Sequence, residues 1–389
     1  MGLRNADKWK DELRVAVGPI MGLLSDDTVT EIEVNAWDWV AAKGSGWKGH
    51  KRIEGVRWTS AKSLETALTV MAEVSGRVVS DRKPLYDGRL PGGERVNIAM
   101  RPTCDRAAIT IRKFPAEVLS LEKLLGYGSI SEEVRQMLRG LVLAKKNIIV
   151  AGGTNSGKTS LLNAMSRIIP EHERIVTVED NRELQIVQDN WVALETVQPW
   201  AADVDEVTLA QLVKNTLRMT PDRIIVGEVR GEEALYLLRA FSTGHSGGFG
   251  TVHSNSAEDA LDQLQLLAQF APVGGTTAAA IAGLVGRAID IVIHVHQFEE
   301  DDSRKVDQII ELERPGVQIS ESGRIQYRYR NLMRYEVASV EEVGGKPSIV
   351  GGWTFPQAPS QALRNTLRFK KLDWPEESLL ADEPLEVVA

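Results

Sequence analysis

The chain has 389 residues with 46 Lys+Arg, 54 Asp+Glu, 6 His and 1 Cys, a formal net charge of −8. That length suggests two or three domains, and a composition 43% hydrophobic and 26% charged excludes a wholly disordered chain. The lone Cys104 excludes an internal disulfide and any zinc site built of several thiolates and fits a cytosolic chain, while the acidic balance argues against general nucleic-acid binding, which needs a concentrated basic surface.

Residues 1–115 read as a mixed α/β domain. Val29, Ile32 and Val34 alternate, Trp37, Trp39 and Val40 follow, and Lys43-Gly44-Ser45-Gly46 has turn chemistry, which predicts a hairpin. Leu64, Leu68, Met71 and Ala72 recur at helical spacing. Pro84, Gly88, Pro91, Gly92 and Gly93 mark turns, and Val96-Asn97-Ile98 and Ile109-Thr110-Ile111 read as strands. Residues 116–146 read as a linker and a helix, because Val134, Met137, Leu138, Leu141 and Val142 form one apolar stripe.

Residues 147–310 alternate short apolar runs, at 148–151, 175–178, 224–226, 250–253 and 289–295, with helical patterns. That rhythm predicts an α/β fold with a mainly parallel sheet covered by helices. A parallel sheet places ligands at the carboxyl ends of its strands. Residues 311–389 are expected to form a C-terminal extension of unassigned role, preceded by the acidic turn Glu299-Glu300-Asp301-Asp302 and holding a strand-like piece at 326–330. The acidic stretch from Glu376 to Ala389 is expected to fray. A spanning helix needs ~20 apolar residues. The best candidate, 278–286, is stopped by Arg287 and Asp290, and the N-terminus lacks a signal-peptide core.

Gly152-Gly153-Thr154-Asn155-Ser156-Gly157-Lys158-Thr159 fits G-x-x-x-x-G-K-[ST], between an apolar strand and a helical run. The glycines let backbone N–H groups converge on a polyphosphate, and the helix N-terminus adds its positive dipole end. These residues and Ser160 are the candidate nucleotide-binding set. Lys158 is expected to neutralise β/γ-phosphates of ATP and Thr159 to ligate Mg²⁺.

Two strand ends then carry carboxylates, Glu179-Asp180 and Gly227-Glu228. Hydrolysis beside a phosphate loop needs such a pair, one acid holding Mg²⁺ through water and one orienting the attacking water. Many phosphate-loop enzymes carry Asp where Gly227 stands. The fourth run, 243–255, holds His245 and His253 among four glycines. A zinc site lacks a third ligand there. The better reading is a γ-phosphate sensor at His253 or Thr251, beside the alternative of packed histidines. In the first domain Arg95, Arg101 and Arg112 lie on or beside strands. An arginine fork suits phosphate oxygens, although from spacing alone a solvated basic edge is the better reading.

Taken in order, these motifs resemble the type II/IV secretion traffic ATPases, most closely the branch serving conjugative type IV secretion and tight-adherence pili, over about residues 25–310. The matching segments are 152–159, the Asp box 178–184, the Walker B region 217–231, the His box 243–255, and upstream 29–35 and 109–114. The resemblance implies a PAS-like N-terminal domain and a RecA-like ATPase domain in cytoplasmic homo-hexameric rings. Such rings dock peripherally on inner-membrane secretion or pilus platform proteins and move by ATP hydrolysis. It implies Glu179 as the water-activating base, Glu228 as the Walker B acid, His253 as the phosphate sensor with His245 a second box member, and Arg112 as the γ-phosphate clamp ahead of Arg95 and Arg101. Departures are Asn155 where Gly is usual, Ser160 where Thr is common, and Thr220 for a frequent Arg. One cysteine excludes the four-cysteine metal module of the pilus-extension and type II branch. Two other functions stay open: a RecA-like motor acting directly on DNA, and a nucleotide-controlled scaffold without turnover.

Overall fold

A computed structural model of the chain describes residues 6–44, 47–74, 78–113, 119–197, 205–273, 277–319, 325–376 and 386–387. It divides into two compact units, Met1–Glu117 with Gln198–Glu206, and Val118–Val197 with Val207–Ala389.

The first unit runs α1 (Ala6–Ala16), α2 (Met21–Ser25), β1 (Val29–Ala36), β2 (Trp39–Gly44), β3 (Lys51–Arg52), α3 (Ala61–Val74), β4 (Leu85–Arg89), β5 (Arg95–Ala99) and β6 (Ala108–Arg112). The strands form one six-stranded sheet in the order β3-β2-β1-β6-β5-β4, and every neighbouring pair is antiparallel. One face is buried. Ile32 and Val34 of β1, Val96 and Ile98 of β5 and Ile109 and Ile111 of β6 pack with Leu64, Leu68 and Met71 of α3, as period-two alternation against a helical stripe requires. This is the smaller α/β N-terminal domain expected. The hairpin differs in detail. Its first reversal falls at Trp37-Asp38 between β1 and β2, because the side chains of Val34 and Val40 must meet in register. The segment 43–46 leads instead to the β2–β3 reversal, and its Ser45 and Gly46 lie outside the described residues.

The second unit runs α4 (Leu121–Gly126), α5 (Glu132–Leu143), β7 (Ile148–Gly152), α6 (Lys158–Ser166), β8 (Ile175–Glu179), β9 (Trp191–Glu195), α7 (Leu209–Thr216), β10 (Arg223–Val229), α8 (Glu233–Ser242), β11 (Phe249–His253), α9 (Ala257–Gln269), α10 (Ala278–Ala288), β12 (Ile291–Gln297), β13 (Arg304–Ile319), β14 (Ile325–Val343), β15 (Lys346–Thr354), α11 (Gln361–Lys370) and β16 (Glu386–Val387). Its ten strands form one sheet in the order β15-β14-β13-β12-β7-β11-β10-β8-β9, with β16 on β14. From β12 to β9 every pairing is parallel, and from β12 to β15 every pairing is antiparallel.

Both faces of the parallel half are covered. Ile149, Ala151, Val226 and Val292 face α7 to α10, while Ile148, Val150, Ile225 and Ile293 face α4, α5, α6 and α11. Successive residues of one strand point to opposite faces, so a strand buried on both sides must read as an unbroken apolar run. Of the segment 116–146, residues 119–146 are described and packed: Leu121, Leu124, Val134 and Leu138 belong to the same core as the phosphate-loop strand. One expected boundary is corrected here. The boundary expected at 310/311 falls inside β13. The segment from 311 to 354 continues the sheet, because the backbone of β13 satisfies the open edge of β12 from Ile291 to Gln297. Of the acidic stretch expected to fray, 377–385 and 388–389 lie outside the described residues.

Candidate functional site

The phosphate loop leaves β7 at its carboxyl end and enters α6. Gly152 takes a φ of +151°, and a Cβ there would lie 2.3 Å from Val295 O and 2.6 Å from Ser156 Oγ, so only glycine fits. Gly157 is the N-cap of α6 in the left-handed region, with no side-chain cap. The first amides of α6 are therefore left to a ligand, and the dipole favours an anion. Asn155 also stands in the left-handed region, at φ +61°. Glycine is favoured there, and Asn is among the side chains that tolerate it best, which explains how this departure keeps the loop's shape. Lys158 Nζ donates to Gly152 O at 2.9 Å and Gly153 O at 2.7 Å. Burial pushes the Lys158 ammonium below its ordinary pKa, a shift opposed by the Glu228 carboxylate and reinforced by Arg230. A polyphosphate in the loop would favour its charged form.

The parallel register sets the other strand ends beside this loop. His253 pairs with Gly152 and Val226 pairs with Val178, so Glu179 and Glu228 close their strands at the same edge. Glu179 is 3% exposed. Its Oε1 accepts from the backbone N–H of Glu183 at 2.7 Å and Leu184 at 2.8 Å, which fixes its carboxylate. Gly227 explains the place where other phosphate-loop enzymes carry Asp. A Cβ at 227 would sit 2.8 Å from Glu179 Cγ and 3.1 Å from its Oε1, so the acid on β8 occupies that space. Glu228 is half-buried and accepts from Arg230 Nη2 at 2.5 Å, and Arg230 Nη1 also lies 3.8 Å from Asp180 Oδ2. Arg230 drew no role from the sequence, although it stands two residues after Glu228. His253 is exposed at the end of β11. Thr251, the alternative sensor, is buried and donates to Gly227 O at 2.7 Å.

Among the described residues no group of three or more His, Cys, Asp and Glu side chains could hold a metal. Mg²⁺ keeps water and phosphate oxygens and takes one or two protein ligands. The Thr159 hydroxyl in the first turn of α6 and the Glu228 carboxylate are the side chains that could supply them.

The other candidates are His245 and three arginines of the first unit. His245 stands in the loop before β11, at the amino end of the strand that His253 ends. Four strand steps at about 3.3 Å each separate those ends, so the structure does not bring His245 to the loop. In the first unit, Arg95 and Arg112 are paired across β5 and β6. Arg95 holds Asp87 in a fork at 3.2 and 2.8 Å. Arg112 is half exposed and lies 3.8 Å from Glu31. Arg101 donates to Asp105 O at 3.2 Å.

A polar cavity of about 470 Å³ opens at the opposite sheet edge, lined by Lys145, Lys146, Arg287, Arg314 and Asp290 among others. It surrounds the carboxyl ends of α5, α8 and α10. Cations are stabilised there by the negative ends of the helix dipoles, and Arg314 donates to Gly286 O. The cavity is accounted for without chemistry.

No helix among the described residues is long and apolar enough to cross a membrane. The family described as type II/IV secretion system protein matches residues 20–314. The chain is similar to a probable conjugal transfer protein TrbB of Sinorhizobium fredii (strain NBRC 101917 / NGR234), 35% identical over 320 residues that cover 80% of this chain and 92% of that one. It is also similar to the type IV secretion system protein VirB11 of Bartonella quintana (strain Toulouse), 32% identical, covering 72% and 88% of the two chains. Among solved structures, the Legionella pneumophila ATPase DotB matches 77% of this chain and 81% of its own with a TM-score of 0.55 at 18% identity, a likeness of fold. With the strand order and the phosphate loop, these matches assign the chain to the type II/IV secretion system protein family, on its conjugative type IV side.

Proposed function

We propose that this chain is an ATP-hydrolysing motor, working as a homo-hexameric ring on the inner face of the membrane, that powers a type IV secretion, conjugative transfer or tight-adherence pilus apparatus. The observation that carries the reading is the gathering of Lys158, Glu179, Glu228 and His253 at one sheet edge. In this reading the loop amides and Lys158 hold the β- and γ-phosphates. Thr159 and Glu228 would hold Mg²⁺, which would supply charge neutralisation on the phosphates. Glu179, already oriented by two amides, takes the proton of the attacking water. His253 stands at the strand end where it feels the γ-phosphate. Arg112 is proposed as the clamp on its place in an Ile-Arg-Lys sequence that the family shares. The names of the relatives support the conjugative branch, and platform proteins of the membrane are the proposed partners.

The test is phosphate release by the purified chain with ATP, with and without Mg²⁺, for wild type and Lys158→Ala. The reading expects Mg²⁺-dependent turnover in the first only. Equal release from both would refute it.

A further inference from the structure

The antiparallel half of the sheet reaches the phosphate loop. Arg304, the first residue of β13, donates from Nε to Asn155 O at 2.8 Å across 149 residues of sequence. Its Cδ lies 3.5 Å from where a Cβ of Gly157 would stand, so its stem runs along the loop. Gln297, at the end of β12, joins the contact. With its amide turned as its neighbours require, it donates to the same carbonyl at 3.3 Å and accepts from Arg304 Nη2 at 3.3 Å. The far side of the guanidinium is held by Asp302 O at 3.4 Å. One backbone carbonyl thus receives two donors, and it belongs to the one non-glycine residue of the loop with positive φ.

We infer that Arg304 is a positioning residue for the nucleotide. It latches the apex of the phosphate loop, so that the loop amides face the phosphates before a nucleotide arrives. Two observations support this independently of each other. The left-handed conformation of Asn155 carries a conformational cost that glycine would not, and a donor on its carbonyl holds the peptide in that orientation. The β12–β13 turn also arrives at the loop already fixed, because Asp301 Oδ2 accepts from Ile349 N at 2.8 Å and Oδ1 accepts from Ser303 N at 2.9 Å. A preorganised loop loses less entropy on binding, so the effect belongs in affinity. Arg304 donates from the outer side of the loop, and no proton transfer is assigned to it.

The inference rests on the nucleotide reading above, and the test separates the two. ATP binding and turnover are measured for wild type, Lys158→Ala, Arg304→Ala and Arg304→Gln, with the melting temperature of the nucleotide-free protein beside each. The expected result is a KM for ATP raised about tenfold in both Arg304 variants, the size of one charge-assisted hydrogen bond, with kcat within about threefold. The melting temperature should stay near wild type. In an Asn155→Gly background the left-handed conformation carries no such cost, so Arg304→Ala should raise KM by less. An unchanged KM, an equal rise in both backgrounds, or a fall in melting temperature that accounts for the whole loss would overturn the latch. If Lys158→Ala binds ATP as wild type does, the nucleotide reading falls instead.

Discussion

The ten-stranded sheet joins two halves built on opposite rules. From β12 to β8 the strands are parallel, buried on both faces and short, and each ends in a loop at the same edge. From β13 to β15 they are antiparallel and long, and the last stretch of β14, from Glu336 to Val343, is exposed. The parallel half gathers chemistry because every strand delivers its next residue to one edge. The antiparallel half returns the chain in both directions, so it gathers nothing. It closes an edge and steadies the phosphate loop at Arg304. Strand β10 shows the same division along its own length: Arg223 at its amino end is buried and structural, and Glu228 at its carboxyl end faces the loop.

The comparison can be broken in graded ways. Arg223 has no exposed side-chain surface and holds Glu173 at 2.5 Å, Gly247 O at 3.0 Å and Val142 O at 3.1 Å. Arg223→Leu leaves Glu173 buried with only Lys145 at 3.2 Å and should cost about 3–5 kcal/mol of stability, read by urea unfolding. At the other end, Glu228→Gln should lower turnover by about 10²-fold or more with the melting temperature unchanged. Gly227→Ala should displace Glu179 and reduce kcat by up to about 10²-fold with nucleotide binding retained, the cost of a ~1 Å misplacement.

Smaller effects belong to the antiparallel half. Burial pushes the Glu311 carboxyl on β13 above its ordinary value, against the hydrogen bonds from Ser360 that lower it. A raised folded pKa gives a contribution that is fully present below the unfolded value of about 4.5 and lost as pH rises through the folded value. Wild-type stability should therefore fall over that window, and Glu311→Gln should flatten the fall in unfolding curves taken across it. On the exposed ribbon, Val337→Thr and Val340→Thr should change stability by no more than about 0.5 kcal/mol and leave ATP turnover untouched. A large loss of turnover from either would mean that the ribbon takes part in turnover.

The two halves also differ in how far their sequences disclose them. Double burial makes 148–151, 175–178, 224–226, 250–253 and the 289–295 region apolar runs that need no alternation to be seen, and all five are strands. The edge strand β9 is only partly buried and carries Trp191, Ala193 and Glu195, so its pattern is weak. Strands β13 and β14 shift register between Leu312 and Val317 and interleave Arg328 and Arg330 with Glu313, which breaks any simple period. The strand-end acids were legible because each directly follows an apolar run. Arg304 was not, because its partner is a backbone carbonyl 149 residues away and its own neighbours read as an acidic turn. Gly227 reads in the sequence as a gap, and only packing shows that Glu179 fills it.

The most direct test of the central claim concerns Glu179. ATP binding by a fluorescent analogue and steady-state phosphate release should be measured on wild type and Glu179→Gln, a change that keeps the side chain's shape and its two amide contacts. The account predicts binding within about threefold of wild type and turnover reduced by about 10²-fold or more. Turnover within twofold of wild type would contradict it.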